Sequence, residues 1–512
     1  MAAKTDSRLV ETGVSGLDAI LSGGIPRGNV ILVEGVIGAG KTTLGIEFVY
    51  RGATRFGEPG VVVVFEVSPD KLTRDAANLG WDLKDLERRQ LLRIIYTTRE
   101  VFHQELQQAD SLLIEEANKI NARRIFIDGA TGLMPLGAGN VARETFHILV
   151  QGLHRENLTA ILALEAVALH GADAGAPIHE ESIADTVIRL RVEDNQRAST
   201  RSIEIVKSRG HEYQMGRHSF RIVNGHGIEV YRRVQAPRGS SRDRAAAYDP
   251  SSRVSTGVPG LDPLVNGGYY IGSTTVIAGM SGVGKTVMGL QYIGEGARRG
   301  EHSLLLSLDE QVPQLLRNAR TIGIDLQPAI DAGTVRLYYD APQEIEVDRH
   351  FYNIEQIVAE FKPRRVVIDS LSTYGSALGT HGRLFRDFFH ALVALMKEHQ
   401  IACVYNHENP EMLGMSSMMG EFAMSSLVDN IVLLNFVELG DTFRLGLTVG
   451  KMRANPVNRT THECEVVDGQ GMHVLPRALP VPPKVDFSAY HGLVSRSPER
   501  RPPLPDDGAE PS

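Results

Sequence analysis

The 512 residues of the chain are enough for several domains of roughly 100–200 residues each. Fifty-four Lys and Arg against 62 Asp and Glu leave a net charge of −8, so no global basic field draws in nucleic acid or an anionic membrane. The hydrophobic share of 42% and charged share of 23% exclude wholesale disorder, and two cysteines, Cys403 and Cys464, exclude a disulfide framework or a four-cysteine zinc site.

The opening MAAKTDSRLV lacks the apolar core of a signal peptide, and apolar runs such as Val61–Phe65 are too short to cross a bilayer. A cytoplasmic protein without membrane contact is expected. In chain order, Val10-Glu-Thr-Gly-Val-Ser-Gly-Leu-Asp18 leads into Val30–Val33, which reads as a buried strand. Gly35-Val-Ile-Gly-Ala-Gly-Lys-Thr42 follows and opens a helical segment, with the spacing of a phosphate-binding loop. Glycines there let backbone N–H groups turn around phosphate oxygens at the positive end of a helix. Gly35, Gly38, Ala39, Gly40, Lys41, Thr42 and Thr43 are the expected cradle, Lys41 facing the β- and γ-phosphates of ATP and the Thr42 hydroxyl on Mg²⁺.

Glu66 follows the strand-like Val61–Phe65, where a base or water-orienting group is needed. Arg124–Ile127 reads as another buried strand, and Asp128 at its end is the expected acidic partner of the magnesium. Thr159–Leu164 is a further strand. Lys207-Ser-Arg209 places two cations two residues apart, on one face if the segment is a strand. Strands alternating with helices imply an α/β fold, a mostly parallel twisted sheet flanked by helices.

The whole series then repeats at an offset of about 244. Val254–Asp262 answers Val10–Asp18. Gly279-Met-Ser-Gly-Val-Gly-Lys-Thr286 is a second phosphate loop after Thr275–Ala278, with Gly279, Ser281, Gly282, Val283, Gly284, Lys285 and Thr286 as its cradle. Asp309 and Glu310 both follow Leu304–Leu308, and spacing does not choose between them as the base. Asp369 ends Arg364–Asp369, the second magnesium acid beside Thr286, and Lys451-Met452-Arg453 returns the cation pair. Two tandem domains are expected, 1–234 and 253–475, joined by a polar linker at 235–252. The proline-rich 476–512 reads as a disordered tail.

Taken together, the Thr-Gly-Val-x-Gly-Leu-Asp opening, the phosphate loop, the strand-end acid, the Ile-Asp strand and the Lys-x-Arg pair, in tandem over about residues 8–475, resemble the KaiC family. The resemblance implies RecA-like ATPase domains in a double-ring homohexamer with ATP at subunit interfaces. It implies Glu66 as the first ring's hydrolytic base and Asp309-Glu310 as the acid pair of an autokinase second domain. It places Lys207, Arg209, Lys451 and Arg453 toward a neighbouring subunit's nucleotide, and Ser425 and Ser426 as phospho-acceptors. A KaiB-like protein is the implied partner of the first ring. The chain departs from the family with Glu66-Val67 for two glutamates, Asp309 for a glutamate, Ser-Ser for Ser-Thr, Gly420 for a threonine, and a divergent segment after Asp468 that argues against a KaiA-like activator. An autophosphorylating ATPase is the leading expectation. A nucleotide-held scaffold is its rival; a DNA motor ranks below both, since no aromatic–basic stripe for single strands is visible.

Overall fold

The computed structural model describes residues 8–106, 112–130, 139–165, 182–195, 198–235, 251–378, 383–408 and 426–479. They form two compact units, one of residues up to 235 with Glu346–Gln356, the other of 236–345 with the residues from 357 onward. Most of the expected linker and nearly all of the expected tail lie outside the described residues.

In the first unit β1 (Leu9–Val10) and β2 (Ile25–Pro26) form a short ladder ahead of a nine-stranded sheet. The sheet comprises β3 (Val30–Gly35), β4 (Gly60–Val64), β5 (Leu92–Tyr96), β6 (Arg124–Ile127), β7 (Thr159–Glu165), β8 (Thr186–Asn195), β9 (Ala198–Ser208), β10 (Arg217–Val223) and β11 (Gly227–Tyr231). Its order is β5-β4-β6-β7-β3-β8-β9-β10-β11. The part from β5 to β8 is parallel; β9, β10 and β11 extend it antiparallel.

The near-continuous Val/Ile runs have their cause in this layout. Ile31, Val33, Val62 and Val64 face one apolar core, while Val30, Leu32, Val61 and Val63 face another, so β3 and β4 are buried on both sides. Each such side chain contributes about 1.5–3 kcal/mol of burial.

The second unit repeats the plan. After β12 (Arg253–Val254) and β13 (Tyr269–Tyr270) come β14 (Thr274–Gly279), β15 (Ser303–Ser307), β16 (Val335–Tyr339), β17 (Arg365–Asp369), β18 (Ala402–Glu408), β19 (Asn430–Leu439), β20 (Thr442–Met452), β21 (Thr461–Val467) and β22 (Gly471–Ala478). The sheet order, β16-β15-β17-β18-β14-β19-β20-β21-β22, is that of the first sheet with every strand shifted by eleven. Both sheets put the phosphate-loop strand, β3 or β14, at the centre with parallel neighbours on either side.

The repeated opening motif is a structural clasp. Asp18 accepts hydrogen bonds from Thr12 N–H (2.7 Å), Thr12 Oγ1 (2.8 Å) and Gly13 N–H (3.0 Å). Asp262 accepts the corresponding pair from Thr256, at 2.7 and 2.6 Å. The glycine before each Leu-Asp is required by contact as well as conformation. A Cβ at Gly16 (φ +76°) would meet Val230 O at 1.9 Å, and one at Gly260 (φ +82°) would meet Val474 O at 2.0 Å.

Strand ends differ from the sequence reading by a residue or two, and the difference moves the acids. β4 stops at Val64, because β6 beside it has already ended at Ile127, opposite Val63. Glu66 therefore stands two residues past the strand, and Asp309 stands two residues past Ser307 at the end of β15.

Candidate functional site

Each phosphate loop lies at the C-terminal edge of its sheet, between the central strand and a helix, Lys41–Arg55 or Lys285–Arg298. Left-handed glycines shape both turns: Gly38 and Gly40 at φ +78° and +103°, Gly282 and Gly284 at +81° and +92°. The lysines fold over their own loops. Lys41 Nζ donates to Gly35 O (2.8 Å) and Val36 O (3.0 Å), and Lys285 Nζ to Gly279 O (2.9 Å) and Met280 O (2.7 Å).

The hydroxyl after each lysine meets the strand-end aspartate. Thr42 Oγ1 donates to Asp128 Oδ2 at 2.9 Å, and Thr286 Oγ1 to Asp369 Oδ2 at 2.7 Å. Burial pushes both carboxyls above the usual aspartate range, as it pushes Lys41 and Lys285 below the usual ammonium range. A buried carboxyl and a hydroxyl side by side are hard oxygen donors of the kind magnesium takes, with nucleotide phosphates supplying further oxygens. The residues present thus fit Mg-ATP in both loops.

The two copies hold their next acid differently. Glu66 is paired with the Arg99 guanidinium, at the start of the helix Arg99–Leu106. Asp309 Oδ1 accepts from Thr373 Oγ1 at 2.5 Å. Glu310 turns aside: its Oε2 accepts from Asn318 Nδ2 at 2.7 Å and its N–H donates to Ser307 Oγ at 3.0 Å. Burial, with Asp369 nearby, raises the Glu310 carboxyl. Asp309, matching Glu66 in its distance from the strand end, is the one of the two whose charge acts on Lys285, while both interact with Asp369.

Lys207 and Lys451 lie in the last two residues of β9 and β20, and Arg209 and Arg453 follow one residue past the strand ends. They grip their own chain. Lys207 Nζ donates to Ala184 O (2.7 Å), and Arg209 Nη2 to Ser182 O (2.6 Å). Lys451 Nζ donates to Val428 O (2.7 Å), while Arg453 reaches Asp429 Oδ1 (2.9 Å) and Ser426 O (3.2 Å). Met452 between them is buried. Ser426 is exposed; Ser425 and Gly420 lie outside the described residues.

Sequence reasoning missed several groups. Glu165 and Glu408 end β7 and β18, opposite Gly35 and Gly279 in the ladder, and their charges act on the loop lysines. Their matched positions in the repeat were the available signal. His407 and Ser372 share a 3.2 Å contact beside the second loop, where the first copy has Leu164 in place of the histidine. Arg124 and Arg365, fully buried, tie strands β6 and β17 to the opening segments through Glu11 O and Ser255 O.

The model of the KaiC ATPase family matches residues 10–235 and again 254–478. The circadian clock oscillator protein KaiC of Picosynechococcus sp. is 32% identical over 498 residues, covering 96% of this chain and 92% of the relative. The KaiC proteins of Prochlorococcus marinus and Thermostichus vulcanus are each 30% identical, covering 96% and 97% of this chain and 95% and 93% of theirs. No helix among the described residues is long and apolar enough to cross a membrane. Two matched family segments, each enclosing one phosphate loop with its hydroxyl–acid pair, show that the chain belongs to the KaiC family of ATPases.

Proposed function

We propose that the protein is a cytoplasmic ATP-driven switch that hydrolyses ATP at the first site and autophosphorylates Ser425 or Ser426 at the second. Its working form is a double-ring homohexamer with nucleotide at subunit boundaries. The observation that carries the reading is the repetition, in both units, of a lysine loop, a threonine–aspartate pair and an acid two residues beyond the neighbouring strand.

Lys41 and Lys285 leave their loop carbonyls to neutralise the β- and γ-phosphates, and the loop N–H groups hold the phosphates in line. Magnesium would be held by Thr42 and Asp128, and by Thr286 and Asp369, where it neutralises phosphate charge. At the first site Glu66 takes a proton from the attacking water. At the second, Asp309 takes the proton of a serine hydroxyl presented by an adjacent copy. The serine oxygen bonds the γ-phosphorus as its bond to the ADP oxygen breaks, giving phosphoserine, ADP and one proton. Lys207-Arg209 and Lys451-Arg453 act through the segments they clamp, so that a neighbour's nucleotide and residues 426–429 answer to the same cations. A KaiB-like partner would read the first ring; a KaiA-like activator is not expected, because the sequence after Asp468 departs from the family.

The Glu66–Arg99 pair favours one alternative, a slow or silent first site within a nucleotide-held scaffold. Phosphopeptide mass spectrometry of the full chain with Mg-ATP separates the two. Phosphate on Ser425 or Ser426 that vanishes in Lys285→Ala supports transfer. ATP consumption without phosphoserine supports the scaffold.

A further inference from the structure

The second site contains a hydroxyl chain aimed at its acid. Thr373 lies in the first turn of the helix Leu371–Leu378, immediately after β17, and its Oγ1 is 2.5 Å from Asp309 Oδ1. Ser370 Oγ is 2.9 Å from the same Thr373 oxygen. The polarity of this chain follows from counting protons. A carboxylate only accepts, so Thr373 must donate its one hydroxyl proton to Asp309, and Ser370 must then donate to Thr373. Asp309 Oδ2 makes no hydrogen bond among the described residues. One carboxylate oxygen is therefore anchored and the other presented.

The anchor belongs to the second copy. The first copy has Gly129 where Ser370 stands and Gly132, outside the described residues, where Thr373 stands, and its acid meets a guanidinium instead. Asp309, exposed beyond its strand, would otherwise rotate about two torsions. A fixed carboxylate suits proton abstraction from a hydroxyl that arrives in one geometry, since misplacement by about 1 Å can cost 10²-fold.

We infer that Thr373 is a positioning residue for the second-site reaction: its hydroxyl, held by Ser370, locks Asp309 so that Oδ2 faces the incoming nucleophile. This rests on Asp309 being the proton acceptor.

The test uses the full chain in a Glu66→Gln background, which silences the first site while leaving its nucleotide loop intact. Second-site turnover is followed with Mg-ATP as ADP formed and as phosphate incorporated. Thr373→Val, isosteric without the hydroxyl, is expected to lower kcat about 10-fold with KM for ATP within about two-fold, and Thr373→Ser to restore kcat to within about three-fold. Should Thr373→Val not fold, Ser370→Ala breaks the chain one step back and is expected to lower kcat about three-fold.

Failure is readable at two levels. If Asp309→Asn retains second-site turnover, or if the background shows none, the underlying assignment of the acid falls. If Asp309→Asn abolishes turnover while Thr373→Val matches the parent, or Thr373→Ser is as impaired as Thr373→Val, the positioning role is overturned.

Discussion

Arg124 gives the sharpest stability prediction, because its partners are fully defined and the unit carries its own reporter. The guanidinium, 1% exposed, donates to Phe48 O at 3.0 Å and Glu11 O at 2.8 Å, pairs with Glu58 at 2.7 Å, and lies 4.6 Å from the Phe48 ring centre. Arg124→Met keeps the aliphatic stem and removes the donors. Glu11 O is left dry, at about 1–3 kcal/mol, whereas Phe48 O keeps its partner inside the helix Lys41–Arg55. Glu58 is not stranded, since Arg27 remains 2.8 Å away. The lost ring contact adds about 1 kcal/mol. Against these, the fold no longer desolvates a cation, and the thioether fills the space. The net loss is about 2 kcal/mol. Trp81, the only tryptophan of the chain, is buried in the same unit and stacked on Tyr50 at 5.7 Å, so its fluorescence reads that unit's urea transition by itself. With a slope of about 2 kcal/mol per molar urea, the midpoint should drop by about 1 M. A midpoint within about 0.3 M of the parent would refute the reasoning and mean that water replaces the guanidinium at little cost.

Other consequences are as direct. The Glu66–Arg99 pair is solvent-facing, with side chains 69% and 38% exposed, so Arg99→Gln should raise first-site ATP consumption by no more than about five-fold in a Lys285→Ala background. A fall instead would make Arg99 part of the machinery rather than a restraint. Burial, reinforced by Lys285, pushes His407 down to about 4, so the fold holds it neutral while the unfolded chain takes up a proton near 6.5. Its contribution is present above about pH 6.5 and is lost as pH falls toward 4, on the order of 3 kcal/mol in all. Calorimetric melts of ligand-free protein at pH 7 and pH 5 should therefore differ less for His407→Leu than for the parent; equal differences would exclude the histidine as the cause. Gly260→Ala, with its Cβ 2.0 Å from Val474 O, should cost the second unit more than about 2 kcal/mol. An unchanged calorimetric transition for that unit would show that the β22 backbone gives way.

The phosphate loops, Asp128 and Asp369 were legible in the sequence because their chemistry demands particular residues at fixed spacing after a buried strand. The inner parallel strands β3, β4, β6 and β7 were legible for a related reason, since strands buried on both faces leave apolar runs, while β5, at the sheet edge and partly exposed, and β8 were not. The antiparallel strands β10, β20 and β21 mix buried with half-buried and exposed positions and leave fainter traces. Asp309 and Glu310 could not be told apart by spacing, and what distinguishes them is where β15 ends and which neighbour each carboxylate meets. Thr373 gave no signal, since a threonine in the first turn of a helix is ordinary until an acid from another strand is found against it. Arg124 and Arg365 were hidden in Arg-Arg pairs that look like a charged strand entrance, although one member of each pair is fully buried.

The central place of β3 also bears on how the protein is made. Its two neighbours, Thr159–Glu165 and Thr186–Asn195, leave the ribosome more than 120 residues after Val30–Gly35. At about 5–20 residues per second, the nascent strand waits on the order of 6–30 s for its first permanent neighbour. Through that interval its valines and leucines have no sheet to enter, which makes the unfinished first copy a client for chaperones. The nucleotide loop cannot take its final shape until the flanking strands arrive, the later of which ends only at Asn195.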